Sequence, residues 1–412
     1  MTPVESAFLA LMKAAIHAES PADPELSAAD WTALFRLADL HKLLPLIADA
    51  ASGLPSLRRA AAAPDTPLDW KAVRSAVFSQ ALRQAVQENE FLDLILSLRD
   101  ESLEPLVLKG PICRALYPKP LLRPSVDDDL LIPADRAADY HRALLARNLP
   151  CDIPDADLEQ MDELSYHRPD SPLYIELHKT LFDSESPVFG PFNRFFSETA
   201  SHPVSAQIQD VALCTAPPTD HLLFLLLHAY KHLLHGGFGL RIVSDLCLFS
   251  RAHAAEIDFP RILEICRSLR CDRFAAAVWR IGDRYLGIPA PEAVPIEVDE
   301  APLLADVLDA GNLGEDINRH HSSNIVLKTV AAEKNGSGKH GGLRSAVFLP
   351  ASRLERRYPF LKKHRWLLPW AWTRRVCTYG VNLLRSREGT PTASLRVARE
   401  RTDLLRAYGI ID

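Results

Sequence analysis

The chain has 412 residues, 47% of them hydrophobic and 24% charged. That balance fits two or three globular domains and excludes a disordered chain, and no apolar run reaches the roughly 18 residues of a membrane-spanning helix. The net charge of −6 hides a division: residues 353 to 406 carry 14 Lys or Arg against 4 Asp or Glu, a balance of +10, which leaves −16 on the remainder.

Cysteines at positions 113, 151, 214, 247, 266, 271 and 377 form no CxxC pair and leave one unpaired, as in a reducing compartment. The early apolar stretch AFLALMKAAI is interrupted by Lys13 and followed by no small-residue cleavage pattern, so a cytoplasmic protein is expected. Residues 1 to about 100 read as helices, because DWTALFRLADLHKLLPLIADAA and KAVRSAVFSQALRQAVQENEFLDLILSLRDESL repeat apolar residues every three or four positions. Near residue 105 the period changes. PLVLKG reads as a short buried strand, PICRALYP as a helical turn opened by Pro111, and PKPLLRPS as a proline-punctuated loop. VDDDLLI is a second strand and ADRAADYHRALLARNL the helix after it. SPLYIELHKTLF supplies a third strand, with Tyr174, Glu176 and His178 on one face and Leu173, Ile175 and Leu177 on the other. After a proline-rich connection ending in APPTD, helices resume from residue 219 to about 288, with Thr219 as a cap. EKNGSGKHGG, near 333 to 342, reads as a flexible loop. Its GSGK is not a phosphate loop, because the motif's first glycine would fall on Glu333 and His340 follows Lys339.

The segment 107 to 132, VLKGPICRALYPKPLLRPSVDDDLLI, carries the chemistry. Asp127 and Asp129 stand two positions apart on a strand and so share a face, and two carboxylates this close repel unless cations lie between them. Hard divalent ions such as Mg²⁺ prefer oxygen ligands of this kind, which points to phosphate chemistry. Asp128 points to the other face and is expected at an edge or beside a basic residue.

The order of a Lys-Gly strand, a helix, an RPxxDxD strand, a helix and a strand with one acid resembles the nucleotidyltransferase superfamily that includes DNA polymerase beta and the kanamycin nucleotidyltransferases. More narrowly, KG, the tyrosine-proline turn, RP, the paired-Asp strand, IELH and the later HxxKH, LR and D elements are similar to the bacterial "uncharacterised nucleotidyltransferase" family, over roughly residues 30 to 290. Lys-Gly replaces the superfamily's usual Gly-Ser or Gly-Gly, and the interval from Gly110 to Asp127 is long, both as in the narrower family. The resemblance implies an α+β fold, mostly α: a small mixed β-sheet nucleotidyltransferase core flanked by N-terminal and C-terminal helical regions. The expected divisions are 1–100 N-terminal helices, 101–215 the α/β core, 216–300 a helical domain covering the nucleotide, and 301–412 a basic C-terminal helical module.

It also implies site roles. Asp127, Asp129 and Glu176 match the metal-binding and catalytic carboxylates, which would hold two Mg²⁺ ions, with Mn²⁺ as an alternative. An NTP such as ATP would be attacked at its α-phosphorus by a hydroxyl acceptor, releasing pyrophosphate. Lys109, the Gly110 amide and Arg123 would meet the phosphates. Lys231, His232, Arg241 and Asp245 would cover the nucleotide from the later helices. His178 would orient Glu176 or contact a phosphate, and a structural histidine is the competing reading.

His228, His232 and His235 share a helical face, but HAYKH lacks the glutamate of the HExxH zinc-protease motif. RWLLPWAWTRR reads either as an interfacial anchor or, with Pro369 interrupting an amphipathic helix, as core packing by Trp366, Trp370 and Trp372. The acceptor is open among a sugar or polysaccharide precursor, an RNA end and a protein, with nucleic acid admitted by the basic module. The competing functions are a non-catalytic nucleotide-binding regulator or scaffold on the same fold, and a nucleotidylating toxin acting on tRNA.

Overall fold

The computed structural model describes residues 1–153, 157–295, 297–312, Arg319, Ser323, 326–327, 329–331, Leu354, Tyr358, 364–374 and 391–412. The architecture is α+β and mostly helical. Helices α1 (Pro3–His17), α2 (Ala28–Leu40), α3 (Leu44–Ala51), α4 (Pro55–Ala62) and the long α5 (Trp70–Arg99) precede the sheet. Their starts follow capping chemistry. Thr2 and Glu5 close a reciprocal capping box on α1, and Ser27 and Asp69 cap α2 and α5. Pro45 sits in the first turn of α3, where a proline costs no hydrogen bond, and so divides the apolar run into two helices.

The sheet has four strands in the order β1 (Leu106–Leu108), β2 (Asp128–Leu131), β4 (Tyr174–His178), β3 (Glu163–His167). β1 runs antiparallel to β2, β2 parallel to β4, and β3 antiparallel to β4. The short helix α6 (Gly110–Arg114) follows β1, and α7 (Ala137–Ala146) makes the crossover after β2. Three of these strands match the sequence reading, and the edge strand β3 adds to it. A further addition is the hairpin of β5 (Val204–Ile208) and β6 (Val211–Thr215), within what reads in sequence as a plain connection. Its Thr215 hydroxyl donates to the Val107 carbonyl of β1.

The second half is helical: α8 (Pro218–His235), α9 (Leu240–Ala252), α10 (Phe259–Ser268), α11 (Asp272–Leu286) and α12 (Ala301–Ala310). The α8 sequence HLLFLLL is apolar on every side, and the helix is accordingly buried through most of its length. Thr219 is not its cap. It lies inside the first turn, where its hydroxyl accepts from the Asp258 amide and ties α8 to the start of α10.

Buried apolar residues from Ala7 to Ile411 form one continuous core, which the C-terminal helix Pro391–Ala407 joins through Leu404 and Leu405 and the residues after it through Tyr408, Ile410 and Ile411. Arg401 of that helix donates to the Leu233 and Gly236 carbonyls at the end of α8 and pairs with Asp306, and Arg319 donates to Gly236 as well. Part of the basic module thus neutralises the negative end of a buried helix. Of the two readings of the tryptophans, core packing does not hold for all three. Trp366 and Trp370 are 75% and 51% exposed, and only Trp372 packs against a small separate cluster of Leu354, Tyr358 and Ala371. The loop expected at 333–342 lies outside the described residues, among which no helix is long and apolar enough to cross a membrane.

Candidate active site

The parallel pairing of β2 with β4 decides the site. Asp129 stands directly opposite Glu176, and Leu130 opposite Leu177. Because the side-chain period of a strand is two, this register puts Asp129, Glu176 and His178 on one face and the leucines on the other. Donor atoms of these three residues all lie within 4.8 Å of one another. Asp127 precedes the strand by one residue, half-buried, and lines the same cleft.

Around Asp129 the positive charge is dense. Lys109 Nζ lies 2.9 Å from its Oδ2, and His178 Nε2 3.1 Å from its Oδ1 and 3.7 Å from Glu176 Oε2. Burial alone would raise the Asp129 carboxyl, but the Lys109 charge and the His178 hydrogen bond outweigh it and hold the group well below the usual carboxylate range. The partners respond in the opposite sense. Burial would lower Lys109 and His178, yet the carboxylates raise Lys109 above its ordinary value and bring His178 to about 9. Glu176 is raised by burial and by the Asp129 and Asp127 charges, against a His178 hydrogen bond.

Lys109 reaches this position through an unusual backbone, φ 51° and ψ −121°, at the junction of β1 and α6. Its amide donates to His221 Nε2, while His221 Nδ1 lies 3.1 Å from the Thr215 hydroxyl. Burial keeps His221 neutral, with its pKa lowered to about 3, as an acceptor toward Lys109 requires. Gly110 is needed for space: a Cβ there would stand 2.5 Å from Asp128 Oδ1.

Asp128 is fully buried on an interior strand, so the edge position is excluded. Its Oδ2 accepts from Gln87 Nε2 at 2.9 Å, Arg114 supplies a nearby charge, and burial still raises its pKa to about 6. Gln84 accepts from the Ser125 amide at 2.7 Å, and Arg114 donates both to Glu88 and to the Ser125 hydroxyl. Helix α5 therefore grips the loop that carries Asp127 from behind. Gln84, Gln87 and Glu88 are polar residues at helical spacing on a buried face, and that spacing was the available signal.

The cleft has a volume of about 270 Å³, and Lys109, Gly110, Arg123, Asp127, Asp129, Glu176, Lys231, His232, Arg241 and Asp245 all line it. His178 does not line it, although its Nε2 lies among the donor atoms of Asp129 and Glu176. Several of these residues have partners other than those expected. The resemblance places Arg123 on a triphosphate and Asp245 on the nucleotide, but the Arg123 guanidinium forks onto the Asp245 carboxylate, which also accepts from the Tyr117 hydroxyl at 2.8 Å. Arg241 donates to Asn312 Oδ1 at 3.0 Å and has its pKa lowered by burial. Glu163, Ser125 and His228 also line the cleft. His228 and His232 approach to 2.8 Å with both pKa values depressed by burial, and His235 stacks on Phe189 instead of joining them.

The donor set fits a divalent cation: a buried and a half-buried carboxylate of two neighbouring strands lie close together, with an ammonium group balancing their charge. A family model described as an uncharacterised nucleotidyltransferase matches residues 27–287, more than half of the chain. No curated protein and no solved structure matches it significantly.

Proposed function

Since the chain belongs to the uncharacterised nucleotidyltransferase family, we propose that it transfers a nucleoside monophosphate from an NTP to a hydroxyl acceptor and releases pyrophosphate. The observation that carries this reading is the convergence of Asp127, Asp129 and Glu176 on one cleft that also holds Lys109, Lys231 and Arg241. Asp127, Asp129 and Glu176 would hold the divalent ions, two Mg²⁺ in the first instance. When bound, these would offset the charge that develops on the entering and leaving oxygens.

The chain's own groups have separate tasks. Lys109 and the Gly110 amide, at the start of α6, bind phosphate oxygens, and Lys231 and Arg241 approach the triphosphate from α8 and α9. The hydroxyl oxygen forms a bond to the α-phosphorus, the bond from that phosphorus to the bridging oxygen breaks, and pyrophosphate leaves with the electron pair. Glu176, whose affinity for protons is raised, takes up the hydroxyl proton. Arg123 and Asp245, paired with each other, form one wall of the cleft. An intact carboxylate set favours transfer over a purely regulatory role.

The test is incubation of the full chain with each α-labelled NTP, a divalent ion and candidate acceptors. Label should pass to an acceptor with the wild type and not with Asp127→Ala or Asp129→Ala. Near wild-type turnover by either variant would remove the assignment.

A further inference from the structure

We propose that His178 is a direct metal ligand through Nε2, so that the site prefers a first-row transition ion that accepts nitrogen, with Mn²⁺ as its probe, over Mg²⁺. This rests on the transferase reading of the same site and goes beyond it by naming the ligand and the class of ion.

The two ring nitrogens face different surroundings. Nε2 is turned to Asp129 Oδ1 at 3.1 Å and Glu176 Oε2 at 3.7 Å, inside the group of donors that spans 4.8 Å. Nδ1 is turned the other way, to Glu163 Oε2 at 3.6 Å. That carboxylate is set there by the sheet, since Glu163 is the cross-strand partner of His178 in the β3–β4 pair. With its far nitrogen facing a carboxylate the ring plane is fixed, and an entering ion that takes the place of the Nε2 proton now bonded to Asp129 leaves the Nδ1 proton on the Glu163 side and the Nε2 lone pair toward the ion. Metal-binding histidines are arranged in this way. His178 is only 6% exposed and sits on a strand, so its ring has little freedom to turn away.

The chemistry of the donors then selects the ion. Mg²⁺ takes oxygen ligands and parts reluctantly with its water, whereas an imidazole nitrogen beside two carboxylates suits an ion that accepts both oxygen and nitrogen. Lys109 holds the position of positive charge on the opposite oxygen of Asp129, which leaves the His178 side as the one where a ligand nitrogen is already in place. A histidine serving only as a charged partner of Asp129 would gain nothing from nitrogen coordination, and the two roles differ in what a spectroscopist sees.

The experiment is electron spin echo spectroscopy on the full chain loaded with Mn²⁺ alone, together with Mn²⁺ and Mg²⁺ affinities from calorimetry. Wild type should show ¹⁴N modulation from a directly bound imidazole, absent from His178→Gln. That variant should lose about 10- to 100-fold in Mn²⁺ affinity and less than about threefold in Mg²⁺ affinity, and Glu163→Gln should keep the modulation with a smaller loss. Bound Mn²⁺ without ¹⁴N modulation in the wild type overturns the proposal, as does an equal loss for both ions or a failure to bind Mn²⁺ at all. If His178→Gln does not fold, the wild-type spectrum decides alone. Missing modulation alongside Asp127- and Asp129-dependent transfer removes only the ligand assignment, whereas absent transfer with absent metal binding removes the transferase reading itself.

Discussion

Replacing Asp245 by alanine separates a structural role from a nucleotide-binding one. The carboxylate accepts two hydrogen bonds from Arg123 and one from Tyr117, and the paired side chains are 3% and 8% exposed. Solvent cannot screen such a pair. Removing the acid leaves a guanidinium buried without its counter-charge, which costs about 3–5 kcal/mol. The arginine cannot escape the cost by losing its proton, because a guanidinium is basic enough to stay protonated even when buried. Replacing both residues, as Arg123→Met with Asp245→Leu, removes the stranded charge. It should therefore cost less than the two single changes added together, by about 2–3 kcal/mol. Denaturant unfolding of the full chain, followed by circular dichroism for the wild type and the three variants, gives the cycle. A loss below about 1 kcal/mol in Asp245→Ala, accompanied by a tenfold or greater loss of NTP affinity, would refute the argument and return Asp245 to the nucleotide.

Neutralising Lys109 or Arg241 should weaken NTP binding more than nucleoside binding, by about 1.5–3 kcal/mol for each charge-assisted hydrogen bond removed, as calorimetry with both ligands would read; equal losses would indicate structural damage. His41 is buried, accepts from the Leu240 amide through Nδ1, and has its pKa lowered to about 4 by burial against a hydrogen bond to Leu308. Its contribution to stability is complete above the unfolded value near 6.5 and is lost as the pH falls through about 4, a difference of about 3 kcal/mol that a His41→Gln variant should lack when unfolding is compared at pH 7 and pH 4. Deleting residues 391–412 should give an aggregated product by light scattering, because Leu405, Tyr408, Ile410 and Ile411 leave the core and Arg401 leaves the end of α8; a soluble, monodisperse product would refute this. The sequence alone suggested that removing Asp127 or Asp129 relieves repulsion. The ion pairs on Asp129 reverse the expectation, and Asp129→Asn should lower the stability of the metal-free protein, as its melting temperature would show.

Local pattern determined much of this protein. The spacing of Asp127 and Asp129, the Lys109–Gly110 junction and the IELH strand were legible because a strand's period of two and a glycine's need for space act over a few residues. Helical periodicity likewise located the N-terminal and later helices. Tertiary structure decided what depends on partners far apart in the chain. The β2–β4 register brings Glu176 opposite Asp129, and β3, whose ELSYH alternation alone was too weak to mark it, brings Glu163 to His178. The fork of Arg123 onto Asp245 was invisible for the same reason: charged residues in a nucleotidyltransferase-like motif read as ligands, and only packing shows which of them also pair with each other. Asp128 makes the point in reverse. Its face was known from the strand period, but only the packing of α5 behind the sheet supplied the Gln87 hydrogen bond that lets a buried carboxyl occupy an apolar position.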